Sequence, residues 1–161
     1  MNRVSNWQNW SGSIAPSQAR LENPRDLDAL VKLVRDATGP VRPVGSGHSW
    51  PHLVPNDHLI LQLDHFNQVG KVDTDTRRAW IGAGARLHDV SPQLSEQGYA
   101  FRNLGDIDVQ TLAGATSTGT HGTGQNLQAL HAEITGLRLV TGTGEQLEIS
   151  THRNSDRLDG A

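Results

Sequence analysis

The run Arg42-Pro43-Val44-Gly45-Ser46-Gly47-His48-Ser49-Trp50 turns a short strand into a glycine loop. A strand ending in Gly-x-Gly exposes consecutive backbone N–H groups with no side chain in the way, an arrangement suited to a pyrophosphate. On its own the pattern also fits many sharp turns. The dinucleotide fingerprint of a Rossmann unit is the first comparison, and Asp64 lies near the distance at which its acidic residue is expected. The rest of that fingerprint is missing. No third glycine follows, and Pro51 and Pro55 occupy the ground of the crossover helix. A second run, Gly114-Ala115-Thr116-Ser117-Thr118-Gly119-Thr120-His121-Gly122-Thr123-Gly124, alternates glycines with small hydroxyl residues. Such a segment can lie flat against a planar or anionic ligand and donate hydrogen bonds. A plain flexible linker would have no need of His121 within it, nor of apolar Leu112-Ala113 leading in.

Working outward, Asn23-Pro24 reads as an N-cap followed by proline at the first helical position. Leu27, Leu30, Val31 and Val34 then share one face of a helix expected to end near Gly39. Val41 to Val44 and His58 to Leu63 read as strands, with an irregular proline-punctuated stretch between them. Val69 to Asp73 and Ala79 to Ala83 read as two more, joined by a solvated tip at Arg77-Arg78. Leu87, Val90 and Leu94 mark a second helix that Gly98 should stop. Glu133 to Val140 and Glu145 to Ser150 form a hairpin around Thr141-Gly142-Thr143-Gly144. The fold class expected is α+β (mixed α/β).

The 161 residues suit one domain able to bury its own core. A net charge of −3 without a Lys/Arg stripe argues against nucleic-acid binding. There is no cysteine, which excludes disulfides, thiolate metal sites and cysteine nucleophiles. No apolar run reaches membrane-spanning length, and the polar opening Met1-Asn2-Arg3 lacks a signal-peptide core, so a cytoplasmic location is expected. Seventeen glycines are many for this length, and the six that cluster in the two runs imply backbone held close to something there.

Both runs, with Asn9-Trp10-Ser11-Gly12, Gly82-Ala83-Gly84 and Gly105-Asp106-Ile107-Asp108-Val109-Gln110-Thr111, resemble the FAD-binding domain of the vanillyl-alcohol oxidase superfamily. The nearest branch is that of the aldonolactone oxidases (gulonolactone and arabinonolactone oxidases) and the alditol oxidases. The resemblance covers nearly the whole chain. It implies two subdomains: a small N-terminal α/β unit over about residues 1–64, and a mainly antiparallel sheet with flanking helices over 65–161. FAD would lie between them. The loop from Arg42, Pro43 and Val44 to Ser49 and Trp50 would wrap the pyrophosphate. Gly105, Asp106, Thr111, Gly114 and Thr116 would lead into a flavin-lining segment of Ser117, Thr118, Gly119, Thr120, His121 and Gly122. Ile134, at the start of a strand, would meet the adenine end through its backbone. The resemblance further implies covalent attachment of FAD through His48, whose imidazole can act as a nucleophile on the flavin 8α-methyl position.

Relatives in this superfamily are longer, so a C-terminal substrate domain carrying the catalytic base is expected beyond this segment. The segment alone is expected to lack turnover, and no catalytic residue is assigned. The whole protein would oxidise CH–OH groups of a sugar alcohol or aldonolactone. The alternative is a module that holds FAD or a nucleotide without turnover. His48 and His52 have the spacing of a helical metal pair, but Pro51 breaks the helix this would need, and no metal is expected. His58, His65, His88, His131 and His152 read as surface or core-edge residues. Trp7 and Trp10 read as packing anchors. A larger side chain at Gly119 or Gly122 is expected to block the flavin and leave the fold intact.

Overall fold

The computed structural model describes residues 7–14, 18–49, 52–55 and 57–151. Three strands, β1 (Arg20–Glu22), β2 (Val41–Val44) and β3 (Leu59–Gln62), form a parallel sheet in the order β1-β3-β2. Leu59 pairs with Arg20 on one side and Val41 on the other. Leu59, Ile60 and Leu61 of the central strand are all buried. A short uninterrupted apolar run is what a strand covered on both faces requires.

Helix α1 (Leu27–Arg35) links β1 to β2. Its N-cap is Asp26, not Asn23, because the Asp26 carboxylate accepts from Ala29 N–H at 2.8 Å. Asn23 instead donates to Asp64 at 3.2 Å. The helix ends at Arg35, short of Gly39, where a Cβ would lie 2.3 Å from the His58 ring.

The expected strands at 69–73 and 79–83 reduce to antiparallel bridges, Val69 with Ile81 and Asp73 with Arg78. The two bridges are one residue out of register with each other, and between them Val72 N–H donates to the Gln97 side chain at 2.8 Å. At the tip, the N–H and hydroxyl of Thr76 and the N–H of Asp75 all donate to the Asp73 carboxylate. The Thr76 bonds foremost hold the Asp73 pKa below the ordinary aspartate value.

Helix α2 (Leu87–Glu96) buries Leu87, Val90 and Leu94, and Gly98 follows it at φ +82°. Val90 and Leu94 pack with Val72 and Ala85, while Leu87 packs with Ala115 and Leu130. Helix α3 (Leu112–Ser117) comes next, then a 3₁₀ turn (Leu130–Glu133) and the antiparallel pair β4 (Gly136–Val140) and β5 (Gln146–Ser150). The hairpin therefore starts later than expected, and Ile134 lies at the end of the 3₁₀ turn, two residues before the strand. Its Arg138 guanidinium sits 4.3 Å from the Trp80 ring centroid, which docks the hairpin on the 79–83 segment. The molecule is a mixed α/β fold with one parallel and one antiparallel sheet.

Candidate functional site: a loop of free backbone donors

The strip Gly82-Ala83-Gly84-Ala85-Arg86 organises the site. On one side it lies against backbone 63–67 so closely that a Cβ on Gly84 would stand 1.9 Å from Leu63 O, and one on Gly82 2.2 Å from Phe66 O. On the other side it is clasped by residues 108–113. Leu112 N–H donates to Ala85 O and Ala113 N–H to Ala83 O. Leu87 and His88 N–H, orphan donors of the first turn of α2, bond the carbonyls of Gln110 and Asp108. The lead-in to α3 is thereby fixed against the start of α2.

This clasp carries Thr111 to the glycine loop at the end of β2. The Thr111 hydroxyl accepts from Gly114 N–H at 3.2 Å as the α3 N-cap, and a Cβ on Gly45 would meet that hydroxyl at 2.3 Å. Ser46 donates to Val109 O, and Arg86 Nη1 donates to Ser46 Oγ at 2.8 Å and to Val109 O at 3.2 Å. Gly47 has φ +69°, and Trp10 N–H donates to its carbonyl at 3.0 Å. The glycines are thus already required by protein neighbours, Thr111 on one flank and residues 9–10 on the other.

What the loop leaves free is its backbone. Among the described residues, the N–H groups of Ser46, Gly47, His48 and Ser49 donate no hydrogen bond to protein. Four successive donors on half-buried residues are thus left without protein partners, and the Arg86 guanidinium is bonded to the hydroxyl of the first of them. Arg42 and Pro43 are exposed on β2, with Val44 half-buried before the loop. Trp50 lies outside the described residues.

The second glycine-rich run is not one extended segment. Its first part is α3, where Gly114 and Thr116 belong to the helix body. The hydroxyls of Thr116 and Thr118 donate back to the carbonyls of Leu112 and Gly114, each at 3.0 Å, so neither hydroxyl proton is free for a ligand. Beyond α3, Gly119 turns the chain at φ +68° with nothing within 4 Å of its Cβ position. Ser117 is exposed, and Thr120 Oγ1 accepts from Gln110 at 3.3 Å. His121 is exposed, its Nδ1 donating to Gly122 O at 2.8 Å. Gly105 packs against His121 O, and Asp106 is exposed.

Residues 18–150 match the family model described as an FAD binding domain. The chain belongs to this family. The FAD binding domain is 36% identical over 147 residues to the L-gulono-1,4-lactone dehydrogenase of Mycobacterium tuberculosis, covering 89% of this chain and 34% of that protein. It is 30% identical over 159 residues to the L-gulonolactone oxidase of Bos taurus, covering 99% and 36%. The chain therefore spans about a third of the length of these curated relatives. Among solved structures, 6-hydroxy-D-nicotine oxidase from Arthrobacter nicotinovorans superposes with a TM-score of 0.74 at 22% identity, over 88% of this chain and 32% of that one. The FAD binding fold is shared across that distance.

Two residues of the site escape a reading of the sequence. Arg86 is one, although a cation at the N-cap of α2 opposes the helix dipole and is a signal that it serves another purpose. Trp10 is the other. It is 72% exposed, so it is no core anchor, and its ring stacks on His48. A cleft of about 660 Å³ lies among Asp64, Asn67, Gln68, Arg86, His88 and Gln93. Its lining includes no residue of the Gly45–Ser49 loop, so cleft and donor run are separate features joined at Arg86. Among the described residues, no group of three His, Asp or Glu side chains is disposed to hold a metal ion, and no helix is long and apolar enough to cross a membrane.

Proposed function

We propose that this domain holds FAD covalently through His48 and serves an oxidoreductase that acts on CH–OH groups of an aldonolactone or sugar alcohol. The carrying observation is the run of free donors from Ser46 to Ser49, with His48 among them and Arg86 alongside. Bound FAD would accept a hydride from the carbinol carbon. The chain's own part is to bind and orient it. The 46–49 amides and Arg86 neutralise the diphosphate, and Thr111 and Gly45 hold the loop in shape. The segment 117–122, with Gly105 and Asp106, lines the flavin, and the Ile134 backbone meets the adenine end. The cofactor would run along the seam between the 20–62 unit and the remainder. Kinship with gulonolactone oxidases and dehydrogenases supports the substrate class.

Acid precipitation of the purified yellow protein tests the attachment. The colour is expected in the pellet for the wild type and in the supernatant for His48→Ala. Colour wholly in the wild-type supernatant rules out the covalent link. Oxidation of gulonolactone, xylitol or sorbitol by the full-length protein, followed with an artificial acceptor, tests the substrate class separately.

A further inference from the structure

The motif Asn9-Trp10-Ser11-Gly12 has no part in the function proposed so far, yet the fold brings it to the one side chain that matters most there. The Trp10 indole and the His48 imidazole are stacked, with centroids 5.0 Å apart and planes 20° from parallel. A tryptophan that is 72% exposed gains little from burial, and the ring contact it does make is this stack on His48. The backbone beneath it is rigidly built. Asn9 is 3% exposed; its Oδ1 accepts from Ile14 N–H at 2.9 Å, and its Nδ2 donates to Ser11 Oγ at 2.9 Å and Ser13 Oγ at 3.0 Å. Gly12, at φ +68°, closes the turn with a 3.0 Å bond from its N–H to Asn9 O. The Trp10 N–H then clamps Gly47 O at 3.0 Å, one residue before His48. Side chain and main chain of the same residue thus grip both His48 and the loop that bears it.

We propose that Trp10 is a positioning residue for His48, its indole face holding the imidazole plane for bond formation with the flavin. This inference rests on the covalent reading above. An imidazole on a glycine-flanked loop has two freely rotating side-chain torsions, and stacking on a fixed ring removes most of that freedom before reaction. The bond joins an imidazole nitrogen to the 8α-methyl carbon. One hydrogen leaves the methyl group and one the imidazole N–H, with two electrons in total. Dioxygen, supplied as oxidant, takes both electrons and both protons and leaves as hydrogen peroxide.

Apoprotein from a riboflavin-starved host, mixed with FAD in air, gives the rate at which acid-stable flavin accumulates. Trp10→Leu keeps apolar bulk without the ring and is expected to slow attachment about tenfold, the upper range for one aromatic pair, while Trp10→Phe restores most of the rate. Noncovalent FAD affinity, measured in a His48→Ala background with and without Trp10→Leu, should change less than about twofold, since the clamp to Gly47 is made by the main chain. Attachment in Trp10→Leu at the wild-type rate overturns the proposal. So does an equal loss of affinity and attachment rate, which marks a role in loop integrity only. If the wild type itself acquires no acid-stable flavin, the His48 reading fails and this inference falls with it. A wild type that links FAD beside an unimpaired Trp10→Leu sinks the Trp10 role alone.

Discussion

Gly119 and Gly122 stand three residues apart, yet a side chain fails at them for different reasons. At Gly119 the Cβ would point into open space, but φ is +68°, a left-handed conformation that costs a non-glycine residue about 1–2 kcal/mol. At Gly122 the Cβ would stand 2.3 Å from Leu104 O and 2.1 Å from Asn103 Oδ1. Gly119→Val should therefore lower the thermal midpoint modestly and remove flavin from the folded fraction if the open side faces the ring. Gly122→Val should unfold the 103–122 contact first, with a clearly larger fall in the midpoint. This revises the expectation from sequence that both would spare the fold. Equal melting of the two variants refutes the distinction. The glycine loop after β2 was legible, because Val44, Gly45 and Gly47 fall within a short window. Their partners were not. Arg86 and Ser46 are 40 positions apart, and no local pattern couples them.

Among the elements, α1 illustrates how a terminus depends on one side chain. The helix has no fully buried residue, and its Leu27 is 40% exposed, so packing contributes less to it than to α2. Loss of the cap should be felt. Asp26→Ala is expected to destabilise the protein by about 1 kcal/mol, whereas Asn23→Ala should be nearly neutral; urea denaturation of both variants checks the order. An Asn23→Ala cost exceeding that of Asp26→Ala would return the cap to Asn23. The apolar spacing of α1 and α2 was readable because a 3.6-residue period is a local property. The strands at 69–73 and 79–83 were over-read for the converse reason. Their alternation is present, but Val72 N–H between the two bridges is taken by a side-chain acceptor, Gln97, the C-cap of α2.

On the scale of the whole molecule, Leu87 ties the site to the core. It is fully buried against Ala115 and Leu130 and directly follows Arg86. Leu87→Ala should cost about 2–5 kcal/mol through lost burial and the cavity left behind. Flavin content should fall only in step with the folded fraction, because the free donors of the 46–49 loop lie on another element. Calorimetry paired with flavin absorbance separates the two quantities. Flavin loss from protein that remains folded would show that the core also shapes the loop.

By itself the sequence determined the helix faces, a strand within His58–Leu63, the strand-to-glycine-loop junction at Val44 and the family resemblance, because each lies within a window of a few residues. Only the tertiary structure decided which hydroxyls are taken up within α3, which amides stay free, and that Ser46 meets Val109 across 63 positions while Trp10 covers His48. Those outcomes depend on how closely backbones approach one another. That approach is set jointly by glycines at 45, 82 and 84 and the neighbours they admit, and a one-dimensional period carries no information about it.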